Sequence, residues 1–239
     1  MSPRDYRLYH FTSELSFLAQ ILEKGFWPRY CPEDFSWTVG GRPLYLMIPM
    51  VSFCDIPLGM AAEHKAAYGD FMVGLNKDWG KQAKVTPLLY IYDGSPIAEH
   101  VAKYGRALLA GQLTPDKLGD LLPLVPYMKP VTGFFPGKKY THHTTECKDF
   151  DEEMEWRYVP HELLHTIYTE DIFEDDAFKR KQQRNETSLN RRLTFSADDV
   201  ELIVVRTEED RTELARRFPD FAGKIKVWGE IEFFPEATS

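Results

Sequence analysis

Apolar and polar positions along the chain follow two periods. Alternating or continuous apolar runs bounded by Gly, Pro, Asn or Asp predict strands over residues 7–12, 50–57, 71–75, 85–92, 151–158, 200–205 and 224–228. Helical spacing recurs at Leu15, Leu18, Ile21 and Leu22, with Gly25 as the stop. It recurs over 61–68 before Gly69, and at Ile97, Val101, Tyr104 and Leu108. Thr207 caps a further helix through Leu214 to Phe218. A shorter helix is predicted over 115–122, and loops over 27–43 and 131–140. There is no internal repeat, low-complexity tract or clear linker. The pattern implies a single α+β domain over residues 1–239, with a helical insertion at about 95–128 on a strand-rich core.

The strand over 151–158 is the most informative stretch. Side chains on a strand alternate, so Glu153, Glu155 and Arg157 share one face and Met154, Trp156 and Tyr158 the other. The apolar face is expected in the core. Two like charges on the remaining face cost energy unless they are solvated or a ligand uses them.

Composition narrows the class. Of 239 residues, 43% are hydrophobic, 28% charged and 14% aromatic, which fits a folded soluble domain rather than a disordered chain. A net charge of −8 excludes polyanion binding by bulk charge, so any such contact needs a local patch. Lys179, Arg180, Lys181, Arg184, Arg191 and Arg192 supply one. Cys31, Cys54 and Cys147 form no CxxC pair, which argues for a reducing compartment. With neither a leader-like segment nor a membrane-length apolar run, the expected location is the cytoplasm.

Local motifs give little chemistry. His161-Glu162-Leu163-Leu164-His165 matches HExxH, a zinc hydrolase pattern, but Pro160 precedes it directly and no third ligand follows at the usual spacing. No metal is therefore expected. A GxSxG elbow and a phosphate-binding GxxxxGK[ST] loop are both missing from the sequence.

The distributed order is more telling: Tyr9-His10 on the first strand, Ser52 on the second, Tyr68 at a helix end, and Glu153 and Glu155 late in the chain. This order resembles the ADP-ribosyltransferase superfamily. The resemblance implies a split β-sheet core with flanking helices and NAD as substrate. Glu155 would then be the catalytic carboxylate, stabilising the cationic ribose as nicotinamide leaves, and Glu153 its companion. His10, with Tyr9 and Thr12, would hold NAD, Ser52 would support the site and Tyr68 would stack on nicotinamide. Arg157, Lys179, Arg180 and Arg184 would contact the acceptor.

A closer resemblance runs through nearly the whole chain in order. Tyr9-His10-Phe11-Thr12, Pro49-Met50-Val51-Ser52-Phe53-Cys54-Asp55-Ile56-Pro57, His64 through Trp79, Tyr127-Met128-Lys129-Pro130, Glu153-Met154-Glu155-Trp156-Arg157-Tyr158-Val159-Pro160 and Leu193 through Val204 are similar to the AbiGi family of bacterial abortive phage resistance proteins. Met154 departs from it, standing where that family tends to have Arg. That family is labelled an antitoxin, but the chemistry of the paired glutamates takes precedence here. The expectation is a NAD-dependent mono-ADP-ribosyltransferase toxin of an anti-phage system, restrained by a cognate antitoxin. It would modify a macromolecule, RNA being favoured over protein by the basic segment. The alternative is a non-catalytic antitoxin or binding module on the same fold, and behind it the zinc hydrolase.

Overall fold

The computed structural model describes residues 7–114, 117–133, 148–175 and 189–232. The chain begins with β1 (Arg7–Thr12), α1 (Leu15–Lys24), β2 (Arg29–Asp34), β3 (Tyr45–Cys54), α2 (Ala62–Tyr68), β4 (Phe71–Asn76) and α3 (Lys77–Gln82). The short strands β5 (Thr86–Pro87) and β6 (Leu89–Ile91) precede α4 (Pro96–Leu109). Then come β7 (Met128–Pro130), β8 (Thr132–Gly133), β9 (Lys148–Asp149), β10 (Glu155–Tyr158), β11 (Tyr168–Thr169) and α5 (Glu170–Glu174). The last elements are β12 (Val200–Val205), α6 (Glu208–Arg217) and β13 (Ile225–Val227). The architecture is mixed α+β. Among the described residues no helix is long and apolar enough to cross a membrane.

Contacts divide the chain into two compact units. The first comprises residues 1–26, 52–85 and 193–239. Its sheet runs in the order β13-β12-β4-β1. β1 and β4 are antiparallel from Arg7↔Asn76 to Thr12↔Phe71, and β12 joins β4 antiparallel through an irregularity between Val200 and Leu202. β12 and β13 are parallel, which requires a crossover, and α6 supplies it. That helix starts at a capping box: Asp210 N–H donates to the Thr207 hydroxyl at 3.2 Å, and Thr207 N–H to the Asp210 carboxylate at 3.0 Å. One sheet face packs Tyr9, Met72, Leu202 and Val204 with Ile56, Ala61 and Trp228. α1 buries Leu18, Ala19 and Leu22 and ends where the Gly25 N–H donates to Ile21 O at 2.8 Å. A Cβ on Gly25 would lie 2.6 Å from Leu193 O, so only glycine lets these segments meet.

The second unit comprises residues 27–51 and 86–192. The region predicted as loop over 27–43 contains β2, a full antiparallel partner of β3 from Arg29↔Met50 to Asp34↔Tyr45. Pro, Gly and mixed charge make this segment read as loop, yet proline is tolerated at a sheet edge, and among the described strands β2 pairs with β3 alone. The predicted strand over 85–92 divides: β5 pairs antiparallel with β10, whereas β6 pairs parallel with β7. α4 begins at Pro96 behind a Ser95 cap, with Ala98 N–H donating to the Ser95 hydroxyl at 3.1 Å. It buries Ala98, Val101, Gly105 and Leu108, and a Cβ on Gly105 would run into Thr38. The core gathers Phe35, Leu46, Ile48, Leu108, Val125, Val159 and Ile167.

Candidate functional site

The strand around Glu155 is real but faces the other way from the expectation. On β10 it is Glu155 and Arg157 that are buried, while Trp156 and Tyr158 are half-buried. Met154, just before the strand, is 47% exposed. A charged face goes inward only when counter-charges meet it there. These come from two other strands of the second unit: Glu33 from β2 and Lys129 from β7.

Arg157 is fully buried and grips Glu155 with two bonds, Nε to Oε1 at 2.7 Å and Nη2 to Oε2 at 3.0 Å. Its Nη2 also lies 2.8 Å from Glu33 Oε2, and its Nη1 donates to Pro126 O at 2.8 Å. Lys129 Nζ reaches Glu155 Oε2 at 2.8 Å and Glu153 Oε2 at 3.0 Å, and sits 4.4 Å from the centre of the Phe150 ring. Glu153 is not on the strand. It ends a 3-10 turn, Phe150–Glu153, and Met154 then takes a left-handed conformation, φ 44° and ψ 48°. This kink brings both carboxylates to one ammonium. The Glu155 N–H donates to the Tyr90 hydroxyl at 2.8 Å, fixing the backbone as well.

The electrostatics follow from this packing. Burial opposes the charge on Glu155, but Arg157 and Lys129 outweigh it and hold its carboxyl well below the ordinary range. Burial likewise opposes the charges on Lys129 and Arg157, and the glutamates reverse this, so both cations keep their protons more tightly than usual. Among the described residues, the carboxyls of Glu33, Glu153 and Glu155 meet the cations Lys129 and Arg157 here. Glu33 bears the strain: burial raises its pKa despite the help of Arg157 and Lys129. Nearby Cys31 is pushed up to about 12 by burial and then by Glu33. Tyr90 is pushed up to about 12, chiefly by burial. A carboxylate locked in a guanidinium fork and held so acidic is a poor proton acceptor, and the arrangement is built to hold three strands together.

The residues expected to hold NAD all belong to the first unit. Tyr9 is buried, with its hydroxyl 3.4 Å from Arg7 Nη1, and Thr12 ends β1 opposite Phe71. His10 Nδ1 is 2.8 Å from Ser52 O, and a carbonyl only accepts, so Nδ1 carries the proton. The His10 ring packs on Phe26 at 5.0 Å and Phe53 at 5.7 Å, and burial lowers its pKa. Tyr68 ends α2, its ring 5.8 Å from that of His64. The structure therefore joins His10 to the Ser52 backbone within one unit, and Glu153, Glu155 and Arg157 within the other.

The basic positions Lys179, Arg180 and Arg184 lie outside the described residues. Of their neighbours, Arg192 lies over the Trp27 ring and Arg191 stands 4.0 Å from Glu162. The HELLH string forms a 3-10 helix, His161–Thr166, with three residues per turn, so its two histidines point about 120° apart instead of sharing a face. Among the described residues no group of three or more His, Cys, Asp or Glu could hold a metal ion. A cavity of about 370 Å³ in the second unit is lined by Trp37, Asp93, Glu99, Lys103 and Arg106 among others, and includes none of the expected site residues. Three members of the ionic cluster were missed: Glu33, Lys129 and Tyr90. Lys129 lies between the apolar Met128 and Pro130 on a short strand, a charge in an apolar setting that hints at a buried partner.

The family described as "Putative abortive phage resistance protein AbiGi, antitoxin" matches residues 24–206. The "Abortive phage resistance protein AbiGi" of Lactococcus lactis subsp. cremoris is 31% identical over 216 residues, covering 79% of this chain and 85% of that protein. No solved structure matches. The antitoxin description overturns the expectation of a NAD-consuming transferase toxin and returns the reading to the non-catalytic alternative. The geometry supplies the physical reason, since the carboxylate assigned to catalysis is already held by internal cations. The chain belongs to the AbiGi family of abortive phage resistance proteins.

Proposed function

We propose that this protein is the antitoxin of an abortive-infection toxin–antitoxin pair and acts by binding its toxin, without chemistry of its own. One observation carries the reading beyond the family description. The paired glutamates are tied to Lys129 and Arg157 inside a folded unit, so their charge is spent on structure. The partner is therefore a toxin, the reverse of the cognate antitoxin that the sequence suggested. The split-sheet transferase-like scaffold remains the fold proposed for it, supported by the order of strands and motifs along the chain.

Expression in a bacterial host tests the role. The chain alone should leave growth unchanged, and so should Glu155→Gln. Co-expression with the product of the adjacent gene should relieve whatever growth arrest that product causes alone. Growth arrest by the chain itself, abolished by Glu155→Gln, would overturn the proposal.

A further inference from the structure

Burying its charged side leaves β10 with an apolar outward side. Met154 is 47% exposed, and Trp156 and Tyr158 follow it at strand spacing, each half-buried. The neighbouring strand extends this surface. Pro87 is the register partner of Trp156, and directly opposed residues in an antiparallel pair share a face; on this short strand Thr86, opposite the buried Arg157, is exposed as Pro87 is. One step on, the Leu88 N–H donates to Glu155 O at 3.0 Å and Leu88 is buried, like Glu155. Leu89 beyond it returns to the outside and is 48% exposed. Met154, Trp156, Tyr158, Pro87 and Leu89 thus form one apolar and aromatic surface within the second unit. This mix of aromatic and methionine side chains is what the centres of protein interfaces favour.

The surface is fixed from beneath and acidic at one end. Every residue between its outward side chains is anchored: Glu155 and Arg157 by the ionic cluster, Leu88 by burial. A rigid anchor strand loses little freedom on binding. Asp151 and Glu152 are exposed just before Met154. At the other end Glu162 is 4.0 Å from Arg191, so the two charges there offset each other. Together with a net charge of −8, the acidic end favours a basic partner.

We infer that the outward side of β10 and β5, with Met154 just before β10 and Leu89 at the start of β6, is the docking surface for the toxin, a basic protein that covers this surface with its own apolar side chains. The inference rests on the antitoxin reading above. The probe is the purified product of the adjacent gene, titrated against the full chain. Met154→Glu and Leu89→Glu should each weaken binding by at least about thirtyfold, the loss typical of a central interface residue. Met60→Glu, at a 59% exposed site in the first unit, should leave it unchanged. Raised salt and Asp151→Lys should also weaken binding. Unfolding curves for Met154→Glu and Leu89→Glu should match the wild type, since both side chains already face solvent.

If the probe binds and is neutralised equally well by both face variants, the docking surface is wrong while the antitoxin reading stands. A probe that never binds the wild type would defeat both. Should the face variants disrupt only self-association of the chain, the occupant is a second copy and the inference fails.

Discussion

Arg157 holds Glu155 through two parallel hydrogen bonds, Nε to Oε1 at 2.7 Å and Nη2 to Oε2 at 3.0 Å, with the guanidinium wholly out of water. Such a pair is weak evidence for net stability compared with an apolar core, but breaking it on one side is costly. Arg157→Leu takes the guanidinium away from the buried carboxylates of Glu155 and Glu33 and should destabilise the protein by about 3–5 kcal/mol. Glu155→Gln leaves Arg157 with Glu33 and Lys129 with Glu153, so it should cost less. Arg157→Lys keeps the charge but loses the fork, and should fall between them. Urea unfolding of the three variants measures the order. A Glu155→Gln cost above that of Arg157→Leu would show that the guanidinium is not the centre of the cluster.

Glu33 gives the cluster a pH signature. Its carboxyl is held above the ordinary value in the folded chain, first by burial. Folding therefore favours its protonated form. That contribution is complete below the unfolded carboxyl's range and is lost as pH rises through the folded value. Glu155 has the opposite sign: its contribution is present above the unfolded range and lost as pH falls towards its lowered value. Glu33→Gln removes only the first. Measured from about pH 3 to 8, a range that brackets ordinary carboxyl titration, the difference in unfolding free energy should move in favour of the variant as pH rises. A difference that does not change with pH would mean that burial does not raise the Glu33 carboxyl.

Some of this was legible in the chain. β12 is almost all apolar and β-branched, and α1 repeats leucines at helical spacing, so local pattern alone set both elements. The orientation of β10 was not legible, because the usual rule puts Trp156 and Tyr158 inside. What reverses it is Lys129 and Glu33, the one 26 residues from Glu155 and paired with it, the other far back on β2. Local periodicity carries no information on charges supplied from such distances. β2 escaped for a related reason: its Arg, Glu and Asp residues and Pro32 read as loop, and only pairing along β3 makes it a strand.

His10 should make the first unit sensitive to acid. Burial among Phe26 and Phe53 lowers its pKa, and the bond to Ser52 O only partly offsets this. A histidine held neutral contributes stability above its unfolded value, and that contribution is lost as pH falls through the lowered one. Wild-type stability should therefore decline below the ordinary histidine range. His10→Phe keeps the ring contacts and loses the Nδ1 bond. At neutral pH it should cost about 1 kcal/mol, and its stability should fall less on acidification. Thermal unfolding across that range decides the matter, and parallel curves for the two proteins would count against a titrating His10.

Gly25 tests the junction that closes the first unit. Its backbone, φ 76° and ψ 174°, lies in a region essentially closed to side chains, and a Cβ there would sit 2.6 Å from Leu193 O. The Phe26 N–H donates to that same carbonyl at 2.9 Å, and the Leu193 N–H to Phe26 O at 2.9 Å, so neither segment can retreat without breaking the bridge. Gly40 is the control. It is left-handed too, φ 67° and ψ 39°, but in the region asparagine readily adopts, and a Cβ there meets nothing within 4 Å. Gly25→Ala should lower unfolding free energy by more than about 2 kcal/mol, and Gly40→Asn by no more than about 1 kcal/mol. Equal losses at the two positions would show that neither the closed backbone region nor the close approach to Leu193 constrains Gly25.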